Sequence, residues 1–204
     1  MSTSEDASMM EAQHRESQDV IGAMLAHHGL LATIAGRLAA TLQGGGTIYL
    51  CGNGGSAADA QHVAAEFVGR FLRERRPLPA VALTCNSSIL TAIGNDYDFS
   101  QVFSRQVEAC AGPRDCVVGI STSGRSPNVL EAMRAARRVG AATVGFTGAA
   151  GTVLAAACDE CLMAPSTSTP RIQEAHLLAW HLICDLVERR IVADGGAASG
   201  AASS

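Results

Sequence analysis

The sequence predicts an α/β fold in which a doubly wound parallel sheet of five strands carries helices on both faces. Three observations lead there. From residue 47 onward, short apolar runs alternate with segments of helical periodicity, the pattern of repeated strand–helix–strand units. Hydrophobic residues make up 48% of the chain and aromatics only 4%, so the core must come from Ala, Val, Ile and Leu, a mixture suited to helices on a parallel sheet. Loops rich in Gly and Ser follow two of the strand candidates, where open parallel sheets bind ligands.

The elements follow in order. Residues 1–14 are polar and are expected to be disordered. Between Ser17 and Leu42, the residues Val20, Met24, Leu25, Leu31, Ile34, Leu38 and Leu42 keep helical spacing, with a break near His27-His28-Gly29. Both histidines there read as solvated or capping side chains. Strands are expected over Thr47–Cys51, Ala80–Leu83, Cys116–Ser121, Thr143–Thr147 and Glu160–Ala164. Helices are expected over Ala57–Arg70, Ser87–Ile93, Phe99–Cys110, Pro127–Val139, Thr152–Ala157 and Ile172–Ile191. One domain thus spans 15–194, its helical extension covering about 15–43, and the Gly/Ala/Ser tail 195–204 is expected to be disordered. Arg70, Arg73, Arg75 and Arg76 precede Pro77 in a loop and read as a solvated surface.

Composition excludes several classes. A formal charge of -4 gives no general reason to bind nucleic acid or an anionic membrane. No apolar run is expected to reach bilayer length, and the polar, acidic Met1–Gln13 is no signal peptide. The seven scattered cysteines fit a reducing cytoplasm better than a disulfide framework. Cys158-Asp159-Glu160-Cys161 lacks the second pair a structural zinc site needs and runs into a strand, so its thiols read as buried.

Chemistry concentrates at Cys51-Gly52-Asn53-Gly54-Gly55-Ser56, where a strand ends in a Gly-rich turn and a helix begins. Backbone N–H groups at such a turn, with the helix dipole, attract an anion such as phosphate. One helical face beyond it carries His62 and Glu66, four residues apart, the spacing of a metal-binding or proton-transfer pair. A second loop, Ser121-Thr122-Ser123-Gly124-Arg125-Ser126-Pro127-Asn128, offers four hydroxyls before a helix that Ser126 caps and Pro127 opens. It has no Gly-Lys-Ser/Thr and is not a Walker A nucleotide site. Asn95-Asp96 alone reads as a turn, and His176 as an ordinary helix residue.

Taken together, Gly52–His62, Gly94-Asn95-Asp96, Ser121-Thr122-Ser123-Gly124 and Arg171-Ile172-Gln173-Glu174-Ala175-His176 resemble the phosphoheptose isomerases, enzymes of the sugar-isomerase (SIS) domain family. The likeness covers nearly all of 17–191. It implies a flavodoxin-like sheet, a cytoplasmic homotetramer and one zinc ion per subunit, held by His62, Glu66, Gln173 and His181. It also implies that Asn53, Gly54, Gly55, Ser56, Asn95, Asp96, Ser121, Thr122, Ser123 and Ser126 contact a sugar phosphate, with Glu66 and Gln173 touching the sugar. Arg125 departs from the asparagine common in the family, and Pro170 stands where some members carry aspartate.

The reaction so implied converts sedoheptulose 7-phosphate to D-glycero-D-manno-heptose 7-phosphate through an enediolate. It needs a base for a C–H proton and an acid for the carbonyl oxygen, roles we assign to Glu66 and His181 respectively. Gln173 and His181 lie eight residues apart, about 12 Å of rise and roughly 80° of rotation on one helix. That separation predicts active sites shared between subunits. The alternatives are a non-enzymatic SIS tetramer that binds the replication initiator protein, in which the equivalents of Glu66 and His181 are missing, and a sugar-phosphate-sensing regulator. The latter usually carries a DNA-binding segment, and residues 1–46 show no helix-turn-helix pattern.

Overall fold

The computed structural model describes the backbone of residues 3–200 and the side chains of residues 3–193. The tail expected to be disordered, 195–204, lies outside the residues described in full. Strands β1 (Ile48–Gly52), β2 (Ala80–Ala82), β3 (Cys116–Ile120), β4 (Ala142–Gly148) and β5 (Glu160–Ala164) pair in parallel. Their order is β2-β1-β3-β4-β5, the flavodoxin-like arrangement, with its topological switch between β1 and β3. Gly52 is in register with Ile120, so the loops leaving these two strands start side by side. Ligands bind at that crevice in open parallel sheets.

Helices α1 (Thr3–Ala23), α2 (His28–Gln43), α3 (Gly55–Val68), α4 (Ser87–Asp96), α5 (Ser104–Cys110), α6 (Pro127–Arg138), α7 (Thr152–Ala157) and α8 (Thr169–Gly200) complete the chain. A 3₁₀ turn at Met24–His27 separates α1 from α2, at the expected break. Cys116, Val118 and Ile120 of β3 face one layer, made of α2, α3 and α8; Val117 faces the other, with α5 and α6. Both faces are buried, hence the continuous apolar runs in the sequence. Gly119 has no side chain for a packing reason: a Cβ there would lie 2.8 Å from Val129 Cγ1 on α6.

Several expectations need correction. The N-terminal segment is helical from Thr3, not disordered. Its side chains are mostly exposed, which is what its polarity implied, but contacts far along the chain hold it. Ser17 Oγ donates to Glu174 at 2.7 Å, Arg171 reaches the Gln13 carbonyl, and Val20 is buried. The helical stretch Thr3–Gln43 is also long and apolar enough to cross a membrane, contrary to the expectation of no such run. Leu31, Ile34, Leu38 and Leu42, however, are buried in the core beside the sheet. Asn95 and Asp96 lie in the last turn of α4 rather than beyond it. The helix expected over Phe99–Cys110 is split. A 3₁₀ turn at Phe99–Gln101, capped by Asp98 accepting from Ser100 N–H at 2.7 Å, precedes α5.

The arginine loop is the largest departure. Arg75 and Glu188 form an ion pair at 3.1 Å with side chains 2% and 0% exposed. Glu188 also accepts from the N–H groups of Phe71, Leu72 and Arg73 at 2.7, 2.9 and 2.9 Å. Arg75 donates to the carbonyls of Glu66, Phe67 and Gly69, closing the C-terminus of α3. Arg73 pairs with Asp185. Arg70 and Arg76 are exposed as expected, whereas Arg73 and Arg75 read as solvated from sequence because their partners stand more than a hundred residues away on α8.

Candidate active site

Two loops make one end of the site. Gly54 takes the N-cap position of α3 at φ 55°, with no side-chain cap. The N–H groups of Ser56 and Ala57 bond back to the Asn53 and Gly54 carbonyls at 3.0 Å, so of the first three helical N–H groups that of Gly55 has no backbone acceptor among the described residues. Gly55 is glycine for another reason: a Cβ there would lie 2.3 Å from Gln173 Nε2. Asn53 and Asn128 exchange reciprocal amide hydrogen bonds of 2.9 and 2.8 Å, locking this loop to the one after β3. Ser126 caps α6 by position, but its hydroxyl lies 2.9 Å from Ser121 Oγ instead of on the helix. Ser56 and Ser121 are buried, whereas Asn53, Gly54, Gly55 and Ser123 are exposed. Thr122 and Ser123 open onto a cavity of about 220 Å³.

The other end lies further along α3. His62 Nε2 stands 3.3 Å from His181 Nε2 and 3.4 Å from Glu66 Oε1. All three belong to one chain, so the helical separation of Gln173 and His181 does not send His181 to a second subunit. It leaves Gln173 against Gly55, at the loop end of the site. The Phe71 ring stacks on His181, with centroids 5.5 Å apart. The buried Glu188, seven residues beyond His181 on α8, holds the backbone of Phe71. Burial by itself raises a carboxyl pKa, and at Glu188 the three N–H donors and Arg75 outweigh it and hold the group below the ordinary carboxylate value.

Asn95 and Asp96 join neither end: the Asn95 amide donates to Asp96 at 2.8 Å, and both are exposed. Two residues escaped the reading of the sequence. Asn128 had only its place in the hydroxyl loop to mark it. Asp59 precedes His62 by three residues on α3; its buried Oδ2 has no partner among the described residues, and burial raises its pKa while His62 works against the rise. The i, i+3 spacing of Asp59 and His62 was a signal available in the sequence. Burial also pushes the Cys161 thiol up to about 12, as suits an inert core cysteine.

The described residues contain no completed three-donor metal cluster. They do contain two edges of one, meeting at His62 Nε2. Donors bonded at about 2.0–2.1 Å around a tetrahedral metal stand about 3.3–3.4 Å apart, which matches both distances. Two imidazoles and a carboxylate are also the donor types that zinc takes.

The chain is similar to known proteins over most of its length. The SIS domain family matches residues 15–148. A phosphoheptose isomerase of Roseiflexus sp. (strain RS-1) is 59% identical over 162 residues, 79% of this chain and 82% of that one. Another, from Burkholderia pseudomallei (strain K96243), is 53% identical over 179 residues, 86% and 91% of the two chains. The solved phosphoheptose isomerase of Neisseria gonorrhoeae shares 41% of its sequence and a TM-score of 0.82, covering 91% of this chain and 99% of that one. Agreement at this identity and coverage places the chain in one family: it belongs to the phosphoheptose isomerases, SIS-domain enzymes that interconvert an aldose and a ketose.

Proposed function

We propose that this chain interconverts sedoheptulose 7-phosphate and D-glycero-D-manno-heptose 7-phosphate, in heptose biosynthesis. The observation that carries this reading is that His62 and Glu66, on the helix that opens at the anion loop, meet His181 of α8 through contacts of 3.3 and 3.4 Å at His62 Nε2. Gly55 and His62 are separated by about 10 Å of helix rise, a span that an extended seven-carbon sugar phosphate bridges. The phosphate sits at the hydroxyls of Ser121, Thr122, Ser123 and Ser126. The reacting carbons reach Glu66 and His181.

Glu66 removes a proton from one of the two carbons and returns it to the other. His181 exchanges a proton with the carbonyl oxygen, so that charge does not accumulate on the enediolate. Oε1 of Glu66 faces His62, which leaves the second oxygen for the substrate. His62, Glu66 and His181 are the residues that would hold a zinc ion, which when bound polarises a carbonyl. Gln173, the fourth donor the resemblance implies, stands against Gly55 at the other end of the site in this structure. Asn53 and Asn128 hold the two loops at fixed spacing, and Phe71 fixes the ring of His181.

The assembly we propose is a homotetramer with sites at subunit interfaces. The His62 side chain is 44% exposed, and deprotonation at carbon is served by excluding water. Val68 and Leu72, 48% and 61% exposed beside the end of α3, supply apolar surface for a partner to cover. Asn95 and Asp96 then serve a neighbouring site. The free thiols support a cytoplasmic location. Incubating the purified protein with sedoheptulose 7-phosphate, with and without a chelator, tests the reading. Aldose should form, stop on chelation and resume with added zinc. A folded protein that makes no aldose under any of these conditions contradicts it.

A further inference from the structure

We infer that Arg125 is a specificity-determining residue, the cation that neutralises the substrate phosphate at the loop end of the site; the inference rests on the isomerase reading above. The cavity of about 220 Å³ there is lined by the hydroxyl residues Thr122, Ser123, Ser166, Thr167 and Thr169, with Arg125 as its charged member. The hydroxyls come from two loops distant in sequence, tied together where Ala149 N–H donates to Ser166 O at 2.9 Å and Gly148 N–H to Thr122 O at 3.0 Å. Neutral hydroxyls satisfy phosphate oxygens by hydrogen bonding but leave the dianion's charge uncompensated. A guanidinium compensates it and offers paired donors in the geometry phosphate accepts.

Arg125 is free to do this. Arg37, Arg73, Arg75, Arg134, Arg138 and Arg171 each face a carboxylate. Arg125 is exposed, and no carboxylate among the described residues pairs with it. Its backbone is held in place. Gly124 adopts φ 64°, and a Cβ on it would lie 2.5 Å from Gly151 Cα, so the loop is pressed against the β4–α7 turn. The Arg125 N–H donates to Ser123 Oγ at 3.2 Å, which orders the neighbouring hydroxyl. The side chain therefore leaves a rigid loop at the rim of the cavity. It stands where the family resemblance places a neutral asparagine.

Steady-state kinetics on Arg125→Asn and Arg125→Lys test this, with inorganic phosphate as competitive probe and melting temperature as second readout. In Arg125→Asn, KM for sedoheptulose 7-phosphate and the inhibition constant for phosphate should rise together by about tenfold, kcat changing less than threefold. The increase of KM with added salt should flatten in that variant and return in Arg125→Lys. Unchanged KM and phosphate inhibition in Arg125→Asn overturn the proposal. Melting separates it from the isomerase reading. Phosphate that stabilises the wild type but not Arg125→Asn supports the cation role even if no aldose is made, and equal stabilisation of both overturns it.

Discussion

At the Ser121–Ser126 end, a ligand meets hydroxyls that are neighbours in sequence, presented by a turn whose shape Gly124 at φ 64° and the Asn53–Asn128 amide pair determine. At the His62 end it meets side chains 119 positions apart, His62 on α3 and His181 on α8. The first end is made of local geometry and tolerates exposure to water. The second exists only because α3 and α8 pack side by side and because Glu188 and Arg75 fasten the loop between them. Binding is therefore the robust half of the site, and chemistry the half that depends on tertiary structure.

The widest expected split between the ends comes from Glu66→Gln and His181→Ala. Each should lower kcat by about 10²–10⁴-fold, the range for loss of a general acid or base, with circular dichroism and phosphate binding retained. Next comes Glu188→Ala, which strands the buried Arg75 and three N–H groups. Urea unfolding should show a loss of about 3–5 kcal/mol, the cost of breaking a buried pair. The fraction that stays folded should bind phosphate normally yet turn over slowly, because Phe71 no longer supports His181.

Acid should act on the layer behind the loops. Burial lowers the pKa of His176 to about 4 from 6.5, against the opposing hydrogen bond that its Nε2–H donates to the Thr147 carbonyl. The unfolded chain takes up a proton between pH 6.5 and 4 that the folded chain refuses. Stability present above pH 6.5 is thus lost as pH falls through that window, by about 3 kcal/mol from this group. His176→Phe should show a smaller fall between pH 7 and 4.5 in paired urea titrations. A fall as steep as the wild type's assigns the acid sensitivity elsewhere. The smallest effect belongs to Asn128→Ala, which unlocks the two loops: about 1–2 kcal/mol, read as a rise in KM with kcat little changed.

The same contrast explains what the sequence made legible. Strand positions were readable because alternating strand and helix signals are local, and Glu160–Ala164 has the expected bounds. The glycine turn and hydroxyl loop were readable for the same reason. Gly55 was noticed as part of a turn, but its actual constraint, the Gln173 amide against its Cα, involves a residue 118 positions later. The arginine loop was misread because burial of Arg75 is decided by Glu188, and nothing near residue 75 announces it. The N-terminal helix was missed because its polar surface matches that of a disordered segment, while its anchors are Arg171 and Glu174. Membership of His181 in the site came from family resemblance. Its contact with His62 could be established only by the fold.

One mixing experiment bears most directly on the claim that a single chain supplies the reactive trio. Inactive Glu66→Gln and inactive His181→Ala proteins are combined, subunit exchange is demonstrated, and aldose formation is measured. Every chain in the mixture carries an incomplete trio, so activity should stay at the level of the separate variants. Recovery toward a quarter of the wild-type rate would mean that Glu66 and His181 act from different chains, and would contradict the account.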